Sequence, residues 1–361
     1  MKKYLILCCY FILSSFIFSQ EIYRDRMRDF IRELRKNTSR DKIFITQNGN
    51  ALYFQDGKID EDFFSVTDGT TQESLFYGDE LKFNTLTSPK LKKELLDMLI
   101  PIRQAGKVVL TINYGKGEKT KKNLESESKK FDFVAELLPG FEAKEIYQPI
   151  EEFNQNNIHS LKDAKNFLCL LNPEKFKTLE QYKSSLENVD FDILLIEPSI
   201  NGEFFSREQI ESLKKKSSGA RRLVIAYFSI GEAENYRYYW KKSWNKKHPD
   251  WIAEENSNWG GNYRVKYWSS EWKSIIKDYQ KKLDEIGVDG YLLDTVDTYY
   301  YFEDKDEEKQ KANFLRLLAV SGFVIAALAV MTIVASMIVA NKNRQLQDIE
   351  SQTTLIQREN N

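Results

Sequence analysis

The sequence is poor in the residues on which much enzyme chemistry depends. Its 361 residues include only two histidines, His159 and His248, and three cysteines. This scarcity excludes most zinc sites, histidine-dependent triads and disulfide scaffolds. The charges nearly balance, because 53 lysines and arginines face 54 aspartates and glutamates. Without a positive surplus the chain is not expected to bind nucleic acid, and neither a metal ion nor another cofactor is expected.

Long apolar runs are confined to the two ends of the chain. Residues 1–19 carry two lysines and then an apolar run, which is typical of a secretory signal peptide, with an uncleaved anchor as the alternative. Residues 314–340 form a second apolar run, long enough for a transmembrane helix, with a buried core helix as the alternative. Acidic residues precede this run and Lys342 and Arg344 follow it. The sequence therefore predicts an exported main domain, in the periplasm or at the cell surface, and a cytoplasmic tail.

Between these ends, short apolar runs alternate with amphipathic stretches. Three helices are predicted at Pro89–Gln104, Ser206–Lys216 and Glu271–Ile286. Strands that alternate with helices predict a parallel α/β sheet, and about eight repeats match a closed (β/α)8 TIM barrel in size. A doubly wound open sheet is the alternative, although no glycine-rich fingerprint follows a strand. The eight predicted strands lie near Lys42–Thr46, Thr70–Leu75, Lys107–Ile112, Phe141–Tyr147, Asn166–Leu171, Asp192–Ile196, Arg221–Phe228 and Gly290–Leu293.

Carboxylates stand where several predicted strands end, which is where TIM barrels place their chemistry. Because side chains alternate along a strand, Asp294, Glu73 and Glu197 share a face with small or apolar residues and are expected to point into the barrel mouth. Helix N-capping is the alternative for Asp294, Asp297 and Glu73. With few histidines and cysteines available, a pair of carboxylates is the remaining chemistry, and glycoside hydrolysis requires such a pair.

Aromatic residues are concentrated in one segment. All six tryptophans lie between residues 240 and 272, with several tyrosines before and among them. Aromatic faces stack on sugar rings, so this cluster is consistent with an open saccharide cleft. A local core beneath a long loop is the alternative.

Motifs in both halves of the chain resemble glycoside hydrolase family 114, whose members are endo-α-1,4-polygalactosaminidase-like TIM barrels. In the second half the resembling blocks are Tyr227–Arg237, Trp259–Trp268 and Asp289–Asp297. In the first half Ile45–Gly49 resembles the family's fifth-strand motif, Glu73–Gly78 its sixth and Val108–Tyr114 its seventh.

The two halves stand in the opposite order to the family's. This order implies a circular permutation, which joins the ends of a closed barrel through a new linker; a fusion of two half-barrels is the alternative. The predicted boundaries are a signal peptide at 1–19, strands five to eight at 20–150, the linker at 151–163, strands one to four at 164–304, an acidic linker at 305–313, the transmembrane helix at 314–340 and the cytoplasmic tail at 341–361.

The resemblance implies a membrane-anchored, retaining endo-glycosidase that acts on galactosamine-containing or other amino-sugar polysaccharides. Asp294 matches the expected nucleophile, which must be ionised at working pH, and Glu73 matches the acid/base. The expected partners are a polysaccharide and the lipid bilayer, the latter through residues 314–340. A non-catalytic saccharide-binding barrel at the cell envelope is the alternative function. The further candidates for substrate binding are Glu197, Glu232, Glu234, Arg237, Asn262, Tyr263, Asp297, Gln47, Asn48, Tyr77 and Tyr114. Bracing the loop is the alternative role for Glu232, Glu234, Arg237, Asn262 and Tyr263.

Overall fold

Eight parallel strands form a nearly closed barrel in the computed structural model, which describes residues 21–317, 331–334 and 336–337. Neighbouring strands in the barrel follow one another in the chain, as in a (β/α)8 TIM barrel, so the predicted architecture is confirmed. The strands are β1 (Ile43–Gln47), β2 (Gly69–Glu73), β3 (Val108–Tyr114), β4 (Val134–Leu138), β5 (Phe167–Leu170), β6 (Ile193–Ile196), β7 (Leu223–Ser229) and β8 (Gly290–Asp294).

The last strand closes the barrel against the first. Ile43 of β1 lies opposite Gly290 of β8, as the sequence predicts for these two strands. A Cβ atom at Gly290 would lie 2.1 Å from the carbonyl oxygen of Ile43, so only glycine permits this approach. Because every TIM barrel has this order of neighbours, the pairing leaves the circular permutation a prediction.

Helices surround the barrel. Along each strand, successive side chains point alternately into the barrel interior and towards this outer layer. Tyr291 of β8 points outward and packs against Phe44 and Phe228, the latter of which also contacts Tyr279. Asp294 therefore lies on the inward face, three residues away. The helices are α1 (21–36), α2 (Glu61–Val66), α3 (Pro89–Gln104), α4 (Glu118–Lys129), α5 (Leu179–Glu187), α6 (Arg207–Leu213) and α7 (Ser270–Ile286).

A three-stranded antiparallel sheet lies between β7 and α7, and we call it the insert sheet. Its strands are Glu232–Glu234, Ile252–Glu255 and Asn262–Val265. The strand Asn262–Val265 lies in the middle and pairs with both of the others. Two short hairpins, Phe54–Gln55 with Lys58–Ile59 and Ser199–Ile200 with Glu203–Phe204, follow β1 and β6.

The predicted strand at Phe141–Tyr147 is wrong, because the fourth strand is β4 and the predicted segment is a loop. The sequence does not predict β4 because Glu136 places a carboxylate in the middle of its short apolar run. This carboxylate is fully buried and accepts the backbone N–H groups of Ile150 (3.0 Å) and Phe167 (3.3 Å). The Tyr147 hydroxyl donates to the Phe167 carbonyl at 2.9 Å. Glu136 thus links β4 to β5, the neighbouring strands in the described barrel that share no backbone ladder, and Tyr147 links the loop after β4 to β5.

The chain divides into two compact units, residues 1–301 and residues 302–361. In the second unit residues 302–317 are helical. The predicted signal peptide at 1–19 and most of the predicted membrane span at 314–340 lie outside the described residues. Among the helices in the described ranges, none combines the length and the apolar character needed to cross a bilayer.

Candidate active site

A cavity of about 950 Å³ opens at the carboxyl ends of the barrel strands. A volume of this size is at the upper end of the range for ligand sites. Ten of the thirteen candidate residues line it, namely Gln47, Asn48, Glu73, Tyr114, Glu197, Glu232, Arg237, Asn262, Asp294 and Asp297.

The two predicted catalytic carboxylates face this cavity from opposite parts of the chain. Asp294 is the last residue of β8, and Glu73 is the last residue of β2. Burial raises the pKa of Asp294 to about 7, with further increases from the charges of Asp297 and Glu73. The expectation that Asp294 is ionised therefore applies only above neutral pH.

Asp294 is held by a close contact between the two motif segments that follow β7 and β8. The carbonyl of Asp294 accepts the N–H of Ile230 at 3.1 Å, and the hydroxyl of Thr295 accepts the N–H of Gly231 at 2.8 Å. Thr295 has a left-handed backbone (φ 59°), and a Cβ atom at Gly231 would lie 2.0 Å from its carbonyl oxygen. A glycine at 231 is therefore required for Asp294 to reach its position.

We expect Gly231→Ala to destabilise the protein by about 1–3 kcal/mol, since the added methyl group must push apart the segments that follow β7 and β8. The free energy of unfolding in urea measures this effect. Gly140→Ala is the matched control, because a Cβ atom there meets nothing within 4 Å. Equal stability of the two variants would contradict the close approach.

Two further carboxylates lie beside the predicted pair. Burial raises the pKa of Glu232 to about 7 although the Asn256 amide donates to it at 2.9 Å. Burial, followed by the charges of Glu232 and Glu73, raises the pKa of Asp297 to about 7. Neither Asp294 nor Asp297 caps the short helix that follows β8, whose N-cap is Thr295. The N-cap alternative for these two aspartates is therefore wrong.

Arg237 forms a buried ion network at the edge of the cavity. Its guanidinium donates to both carboxylate oxygens of Glu197, at 2.7 and 2.8 Å, and through Nε to Glu234 at 2.6 Å. The Tyr227 hydroxyl, 3.1 Å away, and the Tyr236 hydroxyl also donate to Glu234. Both carboxylates bind the one guanidinium, and Glu234, which does not line the cavity, is also held by the two tyrosines. Glu234 therefore braces Arg237 from outside the cavity.

The remaining two candidates, Tyr77 and Tyr263, also lie away from the cavity lining. Tyr77 is buried and pairs through its backbone with Leu86. The ring of Tyr263 packs against Trp240 and His248, with ring centroids 5.0 Å apart in both cases.

Several further residues line the cavity although they were not named individually as site candidates, among them Tyr227, Tyr236, Asn256 and Trp259. Three of these four lie inside the motif blocks, and Tyr227 shares the inward face of β7 with Ser229, which is the signal that would have found it. Trp259 is 47% exposed, whereas Trp251 and Trp272 are buried core residues. The aromatic segment is therefore mostly a local core, from which one tryptophan reaches the cavity.

Comparison with known proteins places these residues in a family. The sequence model of glycoside-hydrolase family GH114 matches residues 151–352, more than half of the chain, a range that includes Asp294 and leaves Glu73 outside. An uncharacterized protein of Methanocaldococcus jannaschii is 39% identical over 156 residues, which cover 41% of this chain and 44% of that protein. An uncharacterized protein of Thermotoga maritima is 36% identical over 135 residues, or 35% and 42% of the two chains. This chain thus spans less than half the length of the two relatives.

Proposed function

Because the chain belongs to glycoside hydrolase family 114, we propose that it is a retaining endo-glycosidase of amino-sugar polysaccharides. Asp294 is the nucleophile, which attacks the anomeric carbon while the leaving oxygen departs. Glu73 protonates that oxygen and then takes a proton from the water that hydrolyses the glycosyl-enzyme. The observation that carries the proposal is that both carboxylates face one large cavity from the ends of β8 and β2.

The charge of the cavity supports a cationic substrate. Its lining includes two basic residues, Lys177 and Arg237, and the latter is already paired with Glu197 and Glu234. A sugar chain with free amino groups would be attracted to the unpaired carboxylates. The acidic lining residues are Glu73, Glu142, Glu174, Glu197, Glu232, Asp294 and Asp297. Of these, Glu142 and Glu174 pair with Lys144, Glu197 pairs with Arg237, and Glu232 lies 4.0 Å from Arg264.

A screen of polysaccharides tests the activity directly. The full chain is incubated with polygalactosamine, partly N-acetylated galactosamine polymer, chitosan and a neutral galactan, and new reducing ends are counted. We expect cleavage of the galactosamine polymers, with the rate falling as acetylation removes positive charge. A folded protein that binds these polymers without cleaving them would instead support the non-catalytic saccharide-binding function.

The raised pKa of Asp294 predicts an acidic limb in the activity profile. Below about pH 7 Asp294 takes up a proton and cannot attack, so kcat/KM is expected to fall about tenfold for each further pH unit. Asp297→Asn removes a neighbouring negative charge, which lowers the pKa of Asp294 and shifts this limb to lower pH. Asp97→Asn, on the exposed side of α3, is the control. A limb that stays in place in Asp297→Asn would exclude Asp294 as the titrating group.

We also propose that the barrel is exported and anchored to a membrane through residues 314–340. The support is the length of this apolar run, with acidic residues before it and Lys342 and Arg344 after it. Protease added to intact outward-facing membranes should remove the barrel and spare the span together with residues 341–361. Release of the whole protein by a salt wash would contradict a spanning anchor.

A further inference from the structure

The carboxylate of Glu73 accepts hydrogen bonds from residues at the ends of the two strands on either side of β2. Asn48, directly after β1, donates from Nδ2 to one Glu73 carboxylate oxygen at 3.1 Å. Tyr114, the last residue of β3, donates its hydroxyl to the other carboxylate oxygen. Each oxygen of Glu73 therefore has a protein donor before any substrate arrives.

We propose that Asn48 and Tyr114 are positioning residues that orient Glu73 for proton transfer, rather than residues that bind the polysaccharide. This inference rests on the proposed function of Glu73 as the acid/base. It changes the expectation from the sequence, which assigns both residues to substrate binding.

The backbone conformation and the side-chain hydrogen bonds of Asn48 both fit a role in orienting Glu73. Asn48 has a left-handed conformation (φ 54°), which asparagine tolerates better than most residues. Its Oδ1 accepts the backbone N–H of Glu73 at 3.0 Å and the amide of Gln72 at 3.2 Å. Backbone conformations of this kind persist where the surroundings fix them, and they are common at active sites. With Nδ2 on Glu73 as well, Asn48 has little hydrogen-bonding capacity left for a sugar.

Tyr114 is equally poorly placed for direct binding. It is 5% exposed, and its ring packs on Phe141 with centroids 4.5 Å apart. Burial, followed by the charge of Glu73, raises the pKa of Tyr114 well above its ordinary value. The phenol therefore keeps its proton and remains a donor to Glu73 throughout the working pH range.

The charge of Glu73 contributes to raising the pKa of three further groups, which are Cys169 on β5, Asp294 at the end of β8 and Asp297 after it. Each of these three groups is neutral or negative, so none of the three can neutralise Glu73. Tyr114 and Asn48 are thus the donors that the described structure supplies to this carboxylate.

Kinetics of Tyr114→Phe in the full chain separate positioning from binding. We expect kcat on galactosamine polymer to fall about 10- to 100-fold, as for a misplaced catalytic group, with KM changed less than about twofold. Asn48→Gly, which accepts the left-handed backbone, should give the same kcat loss. A rise in KM with kcat unchanged would overturn the proposal.

Tyr279→Phe is the matched control for kinetics. Tyr279 is also buried, and its hydroxyl has no hydrogen-bond partner among the described residues. Removing that hydroxyl should leave kcat, KM and the pH profile unchanged. The same loss in Tyr279→Phe as in Tyr114→Phe would mean that any buried tyrosine matters, and would overturn the specific role of Tyr114.

A measurement without substrate keeps this inference separate from the proposed function. In protein labelled with ¹³C at tyrosine Cζ, the Tyr114 resonance should move when Glu73→Gln replaces the carboxylate, and it should move much less in Asp294→Asn. Such a difference supports the contact even if no polymer is cleaved. If Glu73→Gln leaves the Tyr114 resonance in place, Tyr114 does not contact Glu73, and the inference fails even for an active glycosidase.

Discussion

Asp294→Asn is expected to abolish turnover while leaving polysaccharide binding largely intact. The amide keeps the size and shape of the side chain but cannot attack the anomeric carbon, so kcat should fall by about 10⁴-fold or more. Affinity for a galactosamine oligomer, measured by calorimetry, should change little, because the other cavity carboxylates remain. Turnover near that of the unchanged protein would remove Asp294 from the mechanism, and Glu197, Glu232 and Asp297 would be the next carboxylates to test.

The same substitution should stabilise the protein at alkaline pH. The pKa of Asp294 is about 7 in the folded state and near 3.8 when the chain is unfolded, so its ionisation opposes folding increasingly above about pH 4 and fully above about pH 7. Asparagine removes this penalty, and we expect a gain of about 2–4 kcal/mol in the free energy of unfolding at pH 8. The gain should shrink towards zero as the pH falls to about 4. The exposed control Asp97→Asn should show no such trend.

Opposite effects of this kind on activity and stability would indicate that the carboxylate cluster is kept for function. Asp294, Asp297 and Glu232 each have a pKa raised mainly by burial. A fold selected for stability alone would replace such groups with neutral residues. The strained approach of Gly231 to Thr295 brings these carboxylates together and fits the same interpretation.

The parts of the fold that sequence reasoning found are those with local signals. Pro89 marks the beginning of α3, and Gly287 ends α7 in a left-handed conformation (φ 85°), so both helices were placed within one residue. β4 was missed because its burial of Glu136 depends on Ile150 and Phe167, which lie 14 and 31 residues further along the chain. No local pattern reveals that a carboxylate will find such partners.

The candidate site also has features that local sequence signals predict and others that depend on the folded barrel. Alternation along β8 and β2, together with the resemblance, placed Asp294 and Glu73 in one cavity. Glu234 was expected to contact substrate or brace the loop, and its place beside Arg237 required the folded insert sheet. The raised pKa of Asp294 also depends on burial and on Asp297, which only the assembled barrel provides.

Glu73→Gln should impair hydrolysis of the polymer far more than hydrolysis of activated substrates. The amide oxygen can keep the hydrogen bond from Asn48, and the amide NH2 group can donate to the Tyr114 hydroxyl, so the fold is expected to persist. Without an acid, a poor leaving group departs slowly, and kcat/KM on the polymer should fall about 10²- to 10⁴-fold. An aryl galactosaminide with a good leaving group needs no proton, so its cleavage step should be nearly unchanged.

That contrast also tests the retaining mechanism, because Glu73 serves as the base in the second step. In Glu73→Gln the glycosyl-enzyme on Asp294 should accumulate, giving a burst of released phenol equal to one equivalent of protein, followed by a slow steady state. An inverting enzyme forms no such intermediate and would give no burst. Glu80→Gln, an exposed carboxylate on the loop after β2, is the control and should show neither effect. If Glu232→Gln produces the burst instead, the acid/base is Glu232, whose pKa is already about 7.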